Sequence, residues 1–377
     1  MDQVAQPNKV SEAWRWFSQA IVDHDSFAGY FQPFIQLLLP HWTTDAHRAE
    51  VVEVRDELTD MYTLVLKPAP HILDKNWPNF KPGQFVELMV EKDGARTLRC
   101  FSISSSPDYF QRTGLIELSI RIQAQGRITP WLKTALSKGS IVNLSTPQGE
   151  FLLSDELKQQ PLLLIAGGSG ITPFRSMLQQ LAREEFSNAD IQLMYYSRCE
   201  NHIAFEAELK SINKQLPNVS IHFIDSEKEG FVSPEHVRSY CSDFGNRTAM
   251  ICGPAPMIKL ARQSLAELEM PADSVLFEYF GAPPIEVEAG EQGVVSFARS
   301  GVVSAQQDGE QKTLLEQAED KGLNPVSGCR IGVCHQCICQ KQSGVVVNTR
   351  TGETSDTGPG DVQLCVSVPV GDVVLDL

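Results

Sequence analysis

The sequence predicts a multidomain fold built on three sheets: an antiparallel barrel or sandwich, then a doubly wound α/β unit, then a small α+β unit. Three observations carry that reading. Between residues 49 and 154 the chain breaks into six short apolar runs punctuated by turn residues such as Pro82-Gly83 and Asp93-Gly94. From residue 160 to 281 apolar runs alternate with helical stretches, the pattern of βαβ units on a parallel sheet. After a stretch rich in proline and glycine, five of the nine cysteines fall in the last 49 residues. A chain of 377 residues has room for two or three domains at about 100–200 residues each.

Composition narrows the function classes. Hydrophobic residues at 42% and charged residues at 21% are globular averages, which excludes disorder. No run approaches the ~20 apolar residues of a bilayer span. The net charge of −15, with no basic run, argues against a nucleic-acid partner. The first residues, MDQVAQPNKV, lack the basic end and apolar run of a signal peptide, so the expected location is the cytoplasm, including the inner face of the membrane. Clustered cysteines without an export signal read as a metal or redox site rather than a disulfide framework. Residues 285–377 carry 13 acidic and 6 basic side chains, so that segment is itself acidic.

The elements follow in order. Residues 1–48 form a helical N-terminal extension, because Phe17/Ile21 and Phe27/Tyr30/Phe31/Phe34 recur at helical spacing. It reads either as a membrane-docking face or as a helix packed on the next domain, and the lack of a Lys/Arg-rich face favours packing. The first sheet domain, 49–156, has strands at Val51–Val54, Tyr62–Lys67, Gln84–Val90, Leu98–Ser104, Leu115–Ile122 and Ile141–Leu144, with a helix starting near Thr129. The α/β domain, 157–281, has strands at Leu162–Ala166, Ile191–Tyr196, Val219–Ile224, Ala249–Cys252 and Val275–Tyr279, with helices at Phe174–Arg183 and Ala255–Glu267 among others. Residues 282–293 are a linker, and 294–377 hold strands at Val294–Ala298 and Val302–Ala305, a helix at Thr313–Asp320 and the cysteine loop.

Two motifs carry chemistry by themselves. Cys329, Cys334 and Cys337, followed by Cys365 after 27 residues, have the C-x4-C-x2-C…C spacing of a plant-type [2Fe–2S] cluster. Soft thiolates suit iron–sulfide, and Gly328 and Gly332 let the loop curl round it with N–H groups aimed at sulfur. The competing reading is structural zinc, which prefers paired short hooks. Cys339 is left over as a packed or half-exposed thiol beside the site. The second motif, Gly167-Gly168-Ser169-Gly170-Ile171-Thr172-Pro173, joins an apolar strand to a helix, where a phosphate can approach the backbone and meet the helix N-terminus. A plain strand–helix turn is the alternative. Ser197-Arg198, ending the next strand, would suit a 2′-phosphate and so NADPH over NADH.

A third run, Arg99-Cys100-Phe101-Ser102, resembles the Arg-x-Tyr-Ser flavin motif of the ferredoxin–NADP reductase superfamily. The resemblance extends through Pro82–Phe85, Gly126–Thr129, Pro147–Phe151, the glycine-rich turn, Cys252–Met257 and Glu278–Phe280, and through Gln363–Val366 into a plant-type ferredoxin of β-grasp fold. It therefore covers residues 49–377 and is similar to bacterial multidomain reductases, in particular the partners of membrane fatty-acid desaturases. It implies a β-barrel FAD-binding domain, an NAD(P)-binding α/β domain and a [2Fe–2S] ferredoxin domain. By the same resemblance Arg99 pairs with flavin phosphates, Phe101 lies along the isoalloxazine in place of Tyr, and Ser102 bonds near N5, with Cys100 between them. Gly126, Arg127, Ile128 and Thr129 would hold the FAD pyrophosphate, FMN being the other candidate. Gly167, Gly168, Gly170, Thr172 and Pro173 would hold the nicotinamide dinucleotide with Gly253 and Met257, while Cys252 faces the nicotinamide. Glu278 would orient or relay protons, and Phe280 would shield the flavin.

The implied activity is transfer of electrons from NADPH or NADH through FAD and the cluster to a partner oxygenase, expected to be a membrane diiron desaturase or hydroxylase. A soluble oxygenase or a hybrid-cluster protein is the alternative acceptor. A redox sensor without turnover is the reading from another class; intact nicotinamide and flavin motifs count against it.

Overall fold

The computed structural model describes residues 47–69, 77–92, 95–124, 126, 128–184, 190–280, 293–305, 312–332 and 335–377. Residues 1–46 of the N-terminal extension, the linker up to residue 292, Arg127 and Cys334 lie outside the described residues; the last two residues of the expected helical extension, His47 and Arg48, are instead the start of a β-strand.

The first sheet is antiparallel throughout. Its strands are β1 (His47–Leu58), β2 (Met61–Pro68), β3 (Phe85–Lys92), β4 (Ala95–Ser102), β5 (Ile116–Arg121) and β6 (Ile141–Leu144), in the order β4-β3-β6-β1-β2-β5. An isolated bridge between Ile103 and Leu118 joins the two edges, closing the barrel. β2 is buried from Met61 to Leu66 because it has a core on each side. Tyr62, Leu64 and Leu66 point into the barrel, whereas Met61 packs with the α/β unit, as alternation along a strand requires. Helix α1 (Pro107–Thr113) was not expected from periodicity, yet its ends are written in the sequence: Ser106 Oγ accepts from Tyr109 N at 3.1 Å, Pro107 opens the helix, and Gly114 closes it at φ +70°. Helix α2 (Thr129–Ala135) starts where the sequence placed it.

The second sheet is parallel, with β7 (Leu162–Gly167), β8 (Ile191–Ser197), β9 (Val219–Asp225), β10 (Thr248–Gly253) and β11 (Val275–Tyr279) in the order β11-β10-β7-β8-β9. β7 is buried at every position because both of its faces are covered. Leu162, Leu164 and Ala166 share a core with α3 (Ile171–Leu181) and α4 (Glu206–Gln215). Leu163 and Ile165 share another with α5 (Pro234–Tyr240) and α6 (Ala255–Glu267). The strand order reverses at β7/β10, so the crevice beyond the carboxyl ends of those strands is where such a sheet takes a ligand.

The two sheets are joined by a buried ion-pair network. Arg175 of α3 donates from Nη1 to Glu117 Oε2 on β5 at 2.6 Å and from Nε to Glu208 Oε2 at 2.8 Å. Arg55 Nη2 holds the other oxygen of Glu117 at 3.0 Å, and Ser176 Oγ donates to Ser105 O at 2.7 Å.

The third sheet is mixed: β12 (Val294–Phe297), β13 (Val302–Ala305), β14 (Ile338–Asn348), β15 (Gly360–Gln363) and β16 (Ser367–Leu375), ordered β13-β12-β16-β14-β15 with only β12–β16 parallel. Helix α7 (Leu314–Asp320) is held by a Thr313/Glu316 capping box and packs Leu314, Leu315 and Ala318 on Val295, Phe297 and Val373. The sequence reading named β12, β13 and α7 but not β14 to β16. β14 hides because its polar run Gln340–Ser343 breaks the alternation, and its register with β16 shifts there. Lys341 is buried within that run, its ammonium satisfied by the carbonyls of Gly344 at 2.8 Å, Asp356 at 2.9 Å and Gly358.

Candidate functional site

A cavity of about 580 Å³ opens where the three sheets meet. The barrel supplies Phe85, Cys100, Ser102 and Gly149, the parallel sheet supplies Glu278 and Phe280, and the third unit supplies Ile331 and Arg350. Strand pleating explains the barrel's share: Cys100 and Ser102 alternate along β4 and face the cavity, with Phe85 opposite Ser102 in register. The intervening Phe101 is half-buried against the barrel core, so the pleat turns it toward that core and Cys100 toward the cavity. Arg99 donates from Nη1 to Leu98 O at 2.7 Å and to Gly328 O, in the cysteine loop, at 3.4 Å.

Two polar atoms in this cavity have no protein partner. Ser102 Oγ and Glu278 Oε2 are both sealed from solvent without a hydrogen bond. Each orphaned buried group costs about 1–3 kcal/mol unless a ligand satisfies it. Burial pushes the Glu278 carboxyl up to about 8, with Arg350 pulling the other way. Its neighbour in register, Cys252, is wholly buried, and burial together with the Glu278 charge raises its thiol well above the ordinary value. The pair is therefore protonated near neutrality. A hydroxyl, a protonated carboxyl and aromatic walls fit a planar heteroaromatic ring with hydrogen-bonding edges, which is the chemistry of a flavin.

The glycine-rich turn is crowded, which explains its glycines. A methyl at Gly170 would run into the Cys252 carbonyl, and one at Gly167 into Met257 Sδ. Gly253 leaves only 2.7 Å between such a methyl and Met257 Cε. Gly168 adopts φ +53°, its carbonyl accepts from Tyr195 OH at 3.2 Å, and Thr172 Oγ1 donates to Ser169 O at 3.0 Å, with Pro173 buried in the first turn of α3. Over Gly168 lies the Arg121 guanidinium, its Cζ 3.7 Å from where a Cβ would be, paired with Asp60 at 3.2 Å through Nη1 while Nε and Nη2 are buried without partners. A phosphate in the turn would take those two donors. Sequence reasoning missed Arg121, since nothing local distinguishes an arginine at a strand end; it missed Arg350 for the same reason.

The other expected residues are placed as follows. Ser197 is buried, its Oγ donating to Cys199 O at 3.1 Å, and Arg198 beside it is exposed. Gly126 closes a turn onto Gln123 O at 2.8 Å, Thr129 Oγ1 accepts from Gln123 N at 2.9 Å, and Ile128 is buried in the barrel core.

In the cysteine loop, Cys329, Cys337 and Cys365 are buried, and the Cys365 thiol lies within hydrogen-bonding reach of both other sulfurs and of the Gly332 N–H. Ile331 N–H points at Cys329 Sγ at 3.5 Å. Arg330, Gly332 and His335 all take left-handed φ, at +62°, +77° and +56°, which turns the loop inward. Gly328 is not among them, so of the two expected glycines only Gly332 bends the loop that way. Thiols converging under backbone N–H groups fit an iron–sulfur cluster, although the three described sulfurs do not by themselves form a set tight enough to hold a metal ion. Cys339 is buried in the adjoining core.

Residues 58–152 match the oxidoreductase FAD-binding domain and residues 164–263 the oxidoreductase NAD-binding domain. An NADPH oxidoreductase of Mycobacterium tuberculosis is 29% identical over 91% of this chain and 88% of its own length. A glycine betaine monooxygenase reductase subunit of Chromohalobacter salexigens is 27% identical over 89% and 96%, respectively. Among solved structures, phthalate dioxygenase reductase, described as a modular structure for electron transfer from pyridine nucleotides to [2Fe–2S], superposes with a TM-score of 0.59 at 24% identity, covering 88% of this chain and 98% of that one.

Proposed function

Because the chain belongs to the ferredoxin–NADP reductase superfamily of FAD- and NAD-binding oxidoreductases, we propose that it is the reductase component of an oxygenase system, moving electrons from NAD(P)H through FAD and a [2Fe–2S] cluster to a partner protein. The observation that carries the proposal is the shared cavity: the unpaired Ser102 and Glu278 atoms face the same space as Ile331 of the cysteine loop. When bound, FAD would exchange a hydride with the nicotinamide and single electrons with the cluster, which is the chemistry no side chain here supplies.

The chain's own residues do the rest. Ser102 offers a hydroxyl, and Glu278, held protonated by burial, offers a proton at Oε2 to the ring edge. Cys252 at the end of β10 and Phe280 after β11 bracket the nicotinamide's approach, and Gly253, where a Cβ would meet Met257 Cε at 2.7 Å, lets Met257 pack against the turn beside them. The glycine-rich turn and Arg121 receive the pyrophosphate, and the exposed Arg198 favours the 2′-phosphate of NADPH. Cys329, Cys334, Cys337 and Cys365 hold the cluster in the β-grasp unit 294–377, and Arg99, Gly126 and Thr129 hold FAD in the barrel. The narrower form of the proposal makes the acceptor a membrane diiron desaturase or hydroxylase; the names of the relatives support the broader oxygenase class. Among the described residues no helix is long and apolar enough to cross a membrane.

The test is a visible spectrum of anaerobically purified protein before and after stoichiometric NADPH, then NADH, with the released flavin identified by chromatography. Flavin and iron–sulfur bands bleaching together support the proposal. A protein without the iron–sulfur bands, or one whose cluster never reduces, sinks it.

A further inference from the structure

The flavin cavity takes its titratable groups from the barrel and the parallel sheet: Cys100 and Glu150 from the first, Glu278 and Tyr279 from the second, with Cys252 beside Glu278 in register. None of these is a cation. Among the described residues the one basic side chain lining the cavity is Arg350, and it belongs to the third unit. Burial keeps Glu278 protonated near neutrality, which leaves Glu150 as the carboxylate and Arg350 as the guanidinium that a bound ring would meet.

The turn after β14 puts Arg350 there. Asn348 Oδ1 accepts from the backbone N–H of Arg350 at 2.9 Å and from that of Thr351 at 3.2 Å, which fixes the turn. Thr349 donates to the carbonyl of Val366, the residue after Cys365, from N at 2.7 Å and from Oγ1 at 3.1 Å. Arg350 Nη1 then donates to Gly332 O at 3.0 Å, in the cysteine loop. Its charge reaches across the cavity, because it pulls the Glu278 carboxyl down against the effect of burial.

We propose that Arg350 is the counter-charge for the reduced flavin, lent to the cavity by the unit that carries the cysteine loop. The inference rests on the reading that the cavity holds FAD. Hydride transfer breaks a C–H bond of the dihydronicotinamide and forms an N–H bond on the ring; the nucleotide leaves as NAD(P)+, and the neutral ring gains one negative charge with its two electrons. A cation on the cavity wall stabilises that charge and leaves the neutral, oxidised ring unaffected, so it raises the two-electron potential. Arg350 is exposed, so water screens part of its charge and the expected effect is about tenfold in the reduction equilibrium. Because the cation rides on the third unit, the ring is easiest to reduce when that unit is seated at the cavity, and reduction favours the seated arrangement by the same factor.

The full chain, purified anaerobically with its flavin and cluster, is titrated by spectroelectrochemistry, flavin and iron–sulfur bands being followed separately. Arg350→Gln removes the charge but keeps an N–H donor for Gly332 O, Arg350→Lys keeps the charge, and Lys321→Gln removes an exposed charge elsewhere on the same unit. In Arg350→Gln the flavin should be about tenfold harder to reduce near pH 7, a fall of about 30 mV for a two-electron couple. Arg350→Lys should recover most of that fall, and Lys321→Gln should match the wild type. In the wild type the flavin potential should drop by about 30 mV per unit between about pH 6.5 and 7.5, because a ring left anionic takes up one proton with two electrons.

A flavin potential unchanged in Arg350→Gln, an equal fall in Lys321→Gln, or a change confined to the cluster overturns the proposal. So does a wild-type slope of about 59 mV per pH unit, since the reduced ring would then be neutral and need no counter-charge. Loss of the iron–sulfur bands from both Arg350→Gln and Arg350→Met overturns it as well, because the guanidinium would then be holding the cysteine loop. Absence of flavin or iron–sulfur bands in the wild type instead overturns the function proposed above.

Discussion

Replacing Glu278 by glutamine tests the electrostatics of the cavity directly. Burial raises this carboxyl to about 8, against an ordinary value near 4.5, and the charged or titratable groups around it are Arg350, Cys252 and Glu150. A carboxyl raised on folding contributes stability that is fully present below its unfolded value and lost as pH climbs through its folded one. At ~1.36 kcal/mol per unit, the stretch from pH 5.5 to 8.5 takes in about 2.5 units of that rise, or roughly 3 kcal/mol. Urea unfolding of the flavin-free protein, followed by circular dichroism at those two pH values, should show the wild type losing about 3 kcal/mol relative to Glu278→Gln over the interval. Curves whose pH dependence superimposes within about 0.5 kcal/mol would refute the reasoning, because the carboxyl would then have to be solvated.

Arg350→Met removes the positive charge that holds Glu278 down, so the pH window of that loss should move upward in the same titration. Arg175→Met leaves Glu117 buried with only Arg55 as partner and should cost about 3–5 kcal/mol of stability in thermal or urea unfolding. Burial raises the Glu117 pKa, but Arg175 and Arg55 outweigh it and leave it lowered. Its contribution is accordingly present above the ordinary carboxylate range and lost as pH falls through the depressed value, so Glu117→Gln should flatten the acid limb below pH ~4.5. Gly170→Ala forces a methyl against the Cys252 carbonyl, so nucleotide affinity measured by fluorescence titration should fall more than tenfold while FAD is retained.

The sequence by itself determined whatever is local. Cysteine spacing named the cluster loop, the Gly167–Pro173 run named the turn after β7, and the change from punctuated strands to alternating strands and helices separated the first two sheets, because periodicity and turn chemistry act over a few residues. It lost β14, whose buried Lys341 reads as a surface residue until the Gly344 carbonyl of the same strand and the Asp356 and Gly358 carbonyls of the turn before β15 converge on its ammonium. Tertiary structure alone decided the cavity, whose walls come from Phe85, Ser102, Glu278, Ile331 and Arg350, far apart along the chain. It also placed Arg121 over Gly168 and raised the Glu278 carboxyl. The reason is physical: burial, desolvation and unpaired hydrogen-bonding atoms belong to the space between elements, and that space exists only once the three sheets have packed.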